Sequence, residues 1–266
     1  MSSKQIIYQV DAFTTAAFKG NPAGVCILDM TPSPEWMQNI AMEMNLSETA
    51  FVFPGKNGER KIKFYTPEAE VPLCGHATLS ASHILYETGL AGHDEKIVFS
   101  SLSGALVITK VKNWITMNFP ADTLKSVEDT AEFRKVTGIN PEELYETGNF
   151  WSLALVEDED ALKKVSPDLI KMKNSKYGDL IVTAPSPVKE FDYSIRCFAP
   201  AVGINEDPVT GSAQCALAPF WYSKTGRKDF VCHQVSKREG ILRVSLKDDR
   251  VDISGQAVTV FRAELM

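Results

Sequence analysis

Apolar and polar positions along the chain run through the same succession of elements twice. In the first half, residues 6–13 and 23–28 read as strands. A helix follows Ser33 and Pro34, a hydroxyl cap followed by a residue with no amide hydrogen to lose. Residues 48–53 and 61–65 read as strands, a helix follows Gly75, and residues 97–100, 105–111 and 114–119 read as strands. In the second half, residues 144–146 begin a strand that continues past Gly148-Asn149, and 152–156 form the next. A shorter helix follows Ser166-Pro167, strands follow at 180–184 and 193–198, and a helix follows Gly211. Strands at 230–233, 242–246 and 251–254 end the copy. The Gly-preceded helices share one spacing: Ala77, Ala81, Ile84 and Leu85 in the first match Ala213, Leu217, Phe220 and Trp221 in the second. Residues 212–222 are apolar nearly all round, the mark of an enclosed helix.

Landmarks between the elements repeat as well. Gly20-Asn21 recurs as Gly148-Asn149, Tyr65-Thr66-Pro67 as Phe198-Ala199-Pro200, and Gly104 as Gly240. The separation drifts from 128 residues (Gly20 to Gly148) to 137 (Gly89 to Gly226). A duplicated α+β protein is expected, each half a curled mixed sheet around one helix. The halves are placed at 1–119 and 120–256, with 257–266 returning to the first sheet. A cleft between halves is where a small-molecule site is expected.

Composition narrows the classes of function. With 266 residues, 44% of them hydrophobic and 23% charged, the chain is long enough for two real cores. A net charge of -6 with no basic stripe argues against nucleic acid as a partner. No run approaches the ~18 apolar residues of a membrane helix, so no membrane association is expected. Met1–Gln5 carry no apolar stretch, so no signal peptide is expected. Five scattered cysteines without a Cys-x-x-Cys read as reduced thiols in a cytoplasmic protein.

Candidate chemistry collects at the two helix starts. Cys74-Gly75-His76 opens the first, and Asp207-Pro208-Val209-Thr210-Gly211-Ser212 opens the second. A helix N-terminus offers free amide donors and partial positive charge, which suits a carboxylate. Taken singly, each loop reads as a cap, with Thr210 or Ser212 capping the second helix; taken as a pair at equivalent places, they read as a site. Glu48 stands at the mouth of an apolar strand; taken alone, the segment reads as an exposed glutamate ending a turn, whereas burial there would raise its pKa and fit it for general acid/base work. His76 and Asp207, just before or within the first helical turns, could relay a proton or orient a substrate. Cys74 is placed for a lowered thiol pKa, whereas Cys215 lies a turn inside its helix and reads as core. His76 and His83 have no further ligand at a metal-like spacing, so no zinc site is expected. No Gly-x-Gly-x-x-Gly or phosphate-binding loop is present, and no cofactor is expected.

Together, Val10-Asp11-Ala12-Phe13 with the Gly20–Val25 segment, and the segments 45–52, 64–78 and 206–213, resemble the PhzF-like (phenazine biosynthesis protein-like) isomerase family. The resemblance implies a diaminopimelate epimerase-like fold, a homodimer, and Glu48 as the group that moves a proton in a small carboxylic acid. It carries His76, Asp207 and Ser212 over as substrate-positioning or relay groups, with Gly75 and Gly211 beside them and Asn21 in the matched N-terminal motif. Epimerase relatives use two thiols; Cys74 matches the first, and the 207–211 loop holds none. The expectation is a cofactor-independent isomerase. Two alternatives stay open: an amino-acid racemase using Cys74, and a non-catalytic metabolite-binding protein.

Overall fold

The computed structural model describes residues 5–55, 59–149 and 151–266; of the segment Met1–Gln5, only Gln5 is among them. The chain is mixed α+β and divides into two compact units, Met1–Asn118 with Ser254–Met266, and Phe119–Ile253.

The first unit contains β1 (Ile6–Ala12), β2 (Asn21–Ile27), α1 (Pro34–Met44), β3 (Thr49–Pro54), β4 (Arg60–Tyr65), β5 (Glu70–Val71), α2 (Gly75–Glu87), β6 (Ile97–Ser101), β7 (Gly104–Val111) and most of β8 (Trp114–Pro120). The final strand of the chain, β18 (Ala257–Glu264), pairs antiparallel with β1. From there the sheet runs β1, β2, β3, β4, β6, β7, β8, with parallel pairs at β2–β3 and β4–β6. Helix α2 packs on β1, β2, β3 and β18, and α1 covers β3 and β4 from the other side. Residues 49–53 of β3 are therefore all buried, which is why that strand reads as one apolar run instead of alternating. Helix α1 begins as expected, with Ser33 Oγ accepting from Trp36 N at 3.2 Å.

Two glycines fix the end of the sheet where Glu48 enters. Gly20 has φ +64°, and a Cβ there would lie 2.1 Å from the Ala12 carbonyl oxygen, so only glycine closes the β1–β2 turn. Inside that turn, buried Asp11 accepts from Phe18 N at 2.7 Å. Gly24 faces Thr49 across the parallel pair, and a Cβ would lie 2.7 Å from Thr49 Oγ1.

The second unit repeats the order: β9 (Leu124–Ser126), α3 (Ala131–Thr137), β10 (Glu143–Thr147), β11 (Ser152–Leu155), α4 (Glu159–Lys164), α5 (Leu169–Lys173), β12 (Leu180–Pro185), β13 (Tyr193–Ala199), β14 (Ile204–Asp207), α6 (Gln214–Thr225), β15 (Asp229–Gln234), β16 (Gly240–Lys247) and β17 (Arg250–Gly255). The sheet runs β9, β10, β11, β12, β13, β15, β16, again with parallel second and fourth junctions inside the repeat, β11–β12 and β13–β15. Helix α6 lays Phe220 on Tyr145 (5.5 Å between ring centroids) and Trp221 on Tyr193 (5.3 Å). Pro219 lies inside α6 and cannot donate to the Cys215 carbonyl. That carbonyl accepts from Asp122 N at 2.9 Å instead, so the interruption leaves no orphan.

Several expected boundaries move. The strand does not continue past Gly148: β10 ends at Thr147, and the Gly148 and Asn149 amides turn back to Thr123 O (3.1 Å) and Asp122 Oδ2 (3.3 Å). The short helix expected after Ser166-Pro167 is α5, capped by Asp168, whose carboxylate accepts from Lys171 N at 3.1 Å. A charged helix, α4, precedes it. Its last carbonyls, those of Leu162 and Lys163, and the following carbonyl of Val165 receive the Arg196 guanidinium, which also pairs with Glu206 at 2.7 Å.

Under α4 lies a buried polar cluster. Glu159 accepts from Lys163 Nζ at 2.6 Å and from Ser194, which sits beside His233 in the β13–β15 register. Burial alone would raise Glu159, but Lys163, Ser194 and His233 outweigh it and hold the carboxyl below its ordinary value. Burial also holds His233 below its ordinary 6.5, reinforced by Lys163 and opposed by Glu239 and Glu159. The unfolded chain therefore takes up the histidine proton first. This contribution to stability is complete above 6.5 and is lost as pH falls through the lower folded value. His233→Gln is expected to flatten the acid-side fall in melting temperature below pH 6.5, read by thermal melts across pH. His83, also held down chiefly by burial, and Glu159, held below its ordinary value, keep a slope of the same sign.

Candidate active site

The first unit brings Ser47, Glu48, Cys74 and His76 together. Helix α1 ends at Asn45, whose left-handed conformation (φ 49°) turns the chain toward β3. Glu48 is the residue before β3, and its carbonyl accepts from Gly24 N at 3.2 Å, which fixes its backbone against β2. Its side chain is only 15% exposed, and Oε2 lies 3.3 Å from His76 Nε2. That distance suits an ion pair, but the angles do not make a hydrogen bond, so the buried Oε2 keeps its acceptor capacity.

His76 is the second residue of α2 and is buried. The capping residue, Cys74, is extended (φ -146°) and makes no side-chain cap bond. Its Sγ lies 3.4 Å from His76 Nδ1, while Ser47 Oγ lies 3.4 Å from Nε2. With a proton on Nε2, the ring presents a donor to Ser47 Oγ and an acceptor to the thiol, with the Glu48 carboxylate at ion-pair distance. His83, two turns along α2, takes no part in this group and meets Thr259 (3.2 Å) and Glu87 (3.7 Å).

The start of α2 is open on one side. A Cβ on Gly75 would meet no atom within 4 Å, so the glycine is not demanded by packing. Its missing side chain leaves room for a ligand beside the first-turn amides. Gly75→Ala is expected to keep the wild-type melting temperature while raising KM by roughly 10- to 100-fold. Steady-state kinetics beside a thermal melt checks this; an unchanged KM would detach Gly75 from the substrate.

In the second unit, the expected placement of Asp207 and the caps needs correction. Asp207 ends β14, and a loop separates it from α6, whose N-cap is Ala213. Neither Thr210 nor Ser212 caps α6 with its side chain. Thr210 Oγ1 donates to Asp207 Oδ2 at 2.5 Å, because its backbone N–H is already bound to Gln234 Oε1 at 2.8 Å. Gln234 Nε2 donates to the Asp207 carbonyl at 2.7 Å. One buried amide thus shapes the whole loop. Tight turn bonds run from Gln214 N to Gly211 O (3.1 Å) and from Cys215 N to Ser212 O (3.0 Å), leading into α6. Gly211 is buried and Ser212 exposed.

Gln234 and Gln214, both fully buried, were missed by sequence reading. A signal existed: each is an amide inside an apolar run. Asn21 is fully buried at the first position of β2, paired with Ala12 of β1. Cys215 lies in the first turn of α6, and burial pushes its thiol up to about 12, leaving it neutral. Among the described residues, Glu48, Cys74 and His76 are the one group of ligand-type side chains whose donor atoms all lie within 4.8 Å. No described helix is long and apolar enough to cross a membrane.

Comparison with known proteins agrees with this architecture. Residues 10–263 match the PhzC-PhzF family, described as phenazine biosynthesis-like protein. A relative from Halalkalibacterium halodurans, named an uncharacterized isomerase, is 44% identical over 261 residues, 98% of each chain. A crystal structure of a PhzF-family phenazine biosynthesis protein from Enterococcus faecalis superposes with a TM-score of 0.93 at 34% identity over 99% of both chains. A predicted epimerase from Pseudomonas aeruginosa shares the fold, with a TM-score of 0.76 at 21% identity over 99% of both chains.

Proposed function

The chain belongs to the PhzC-PhzF family of phenazine biosynthesis-like proteins and is an isomerase, and from that premise we propose that Glu48 is its general acid/base. The observation that carries this is a carboxylate 15% exposed, with a buried Oε2 free of hydrogen bonds, held beside an imidazole at a helix start. Glu48 takes a proton from carbon next to an activating group and returns it to another carbon of the same substrate. One base reaches one substrate face, so the reaction is a suprafacial allylic shift and not an inversion. His76 steadies the charge on Glu48 in its ionised form and exchanges protons with it.

The substrate in this reading is a small carboxylic acid. Its carboxylate and the negative charge that develops in the transition state call for backbone amides; Gly75-His76 offers them in the first unit, and Gly211-Ser212, with Asp207 in the same loop, offers the equivalent in the second. No cofactor enters. The same reading takes the protein as a homodimer and as cytoplasmic, the latter in keeping with five buried cysteines outside disulfides.

Cys74 supports a second reading, because its thiol lies 3.4 Å from His76 Nδ1 at a helix start. In that case a thiol base inverts an amino acid. Incubation in deuterated water with a panel of allylic carboxylic acids and amino acids separates the two. The Glu48 reading expects a double-bond shift that survives Cys74→Ser. Complete α-deuteration with inversion, abolished by Cys74→Ser and kept in Glu48→Gln, would overturn it.

A further inference from the structure

We propose that Cys74, His76 and Glu48 also form a binding site for a thiophilic divalent cation, zinc first, and that the bound cation silences the enzyme. Three different ligand types converge here from two segments. His76 Nε2 lies 3.3 Å from Glu48 Oε2 and 3.9 Å from Cys74 Sγ, and all three donor atoms fall within 4.8 Å. Zinc bonds to nitrogen, oxygen and sulfur place neighbouring tetrahedral ligands roughly 3.3–3.8 Å apart. Two edges of that triangle thus stand at or near the required length; Sγ rests nearer Nδ1, at 3.4 Å, so binding turns the thiol toward Nε2 and the carboxylate, which lie within 4.8 Å.

The site is also pre-arranged. Cys74 and His76 are 7% and 8% exposed at the start of α2, and the Glu48 backbone is tied to Gly24, so little freedom is lost on binding. Three protein ligands leave the fourth position of a tetrahedral zinc ion to water. A thiolate with an imidazole selects zinc over magnesium or calcium, which prefer all-oxygen shells. Binding displaces the thiol proton to solvent and changes no oxidation state. The spacing of ligands in the sequence hides this set, because Glu48 comes from a strand mouth far from the Cys-x-His pair.

Cation binding itself does not depend on the proposed reaction; the silencing rests on Glu48 being the base, since a carboxylate on zinc cannot take a carbon-bound proton. The test is zinc titration of the metal-free full-length protein in competition with a chromophoric chelator, followed by cobalt(II) spectroscopy. One zinc per chain is expected, with affinity lowered about tenfold or more in Cys74→Ser and in His76→Gln and unchanged in His93→Gln at an exposed site. Cobalt is expected to give a sulfur-to-metal charge-transfer band that Cys74→Ser removes. Absence of stoichiometric zinc binding, or wild-type affinity in both ligand variants, would overturn the site. A wild-type cobalt complex lacking the sulfur band would do the same without any variant. If zinc binds as expected while Glu48→Gln retains turnover, the metal site stands and the assigned base falls.

Discussion

Glu48→Gln is expected to lower kcat by about a thousandfold or more while leaving the fold intact. The substitution keeps the shape of the side chain and removes its basicity, which general acid/base catalysis needs. Stability should barely move. Oε2 makes no hydrogen bond in the folded protein, and an amide in its place exchanges an 85%-buried charge for a neutral group beside Ser47 and His76. The measurement is the rate of product formation and deuterium uptake for the substrate found in the exchange panel, with a thermal melt alongside. His76→Asn should cost less, since the histidine acts through Glu48; its mark is a changed pH profile. A Glu48→Gln enzyme with wild-type kcat would remove the base from the mechanism, whatever the melt shows.

Much of this arrangement was legible in the residues, because the signals were local. Ser33 and Pro34 announce α1, Gly20 announces a turn that nothing larger can close, and the unbroken apolar run of β3 announces a strand covered on both faces. The duplication was readable because both copies keep the same punctuation between elements. What failed was what depends on distant partners. Thr210 looks like a cap in the sequence, but its amide and hydroxyl are taken by Gln234 and Asp207, so α6 starts later. Ser166 looks like a cap, but Asp168 accepts the helix amide. Gly148 looks like a strand glycine, yet its amide is bound by the Thr123 carbonyl. The candidate site shows the same division. Glu48 and His76 could be named from the sequence, but their 3.3 Å approach, and the thiol closing the group, exist only once β3 and α2 are packed.

Gln234→Leu is expected to destabilise the protein by about 3 kcal/mol and, separately, to weaken substrate binding. Leucine has a similar size, so packing is largely kept and the loss is one of hydrogen bonds. The fully buried amide accepts from Thr210 N at 2.8 Å and donates to the Asp207 carbonyl at 2.7 Å and to Thr210 Oγ1 at 3.2 Å. Its removal strands the buried Thr210 N–H, at a cost of roughly 1–3 kcal/mol, and takes one hydrogen bond from the half-buried Asp207 carbonyl. Gln214 supplies the control. It is equally buried, but it bonds Tyr193 OH at 2.6 Å and Cys232 Sγ at 3.4 Å, groups of the core and not of the loop. Gln214→Leu should therefore lower the melting temperature comparably and leave KM near wild type, whereas Gln234→Leu should lower stability and raise KM together. The contrast separates the fold from the site. If both variants melt early and neither changes KM, the loop from Asp207 to Ser212 is architecture, and substrate recognition belongs to the α2 start alone.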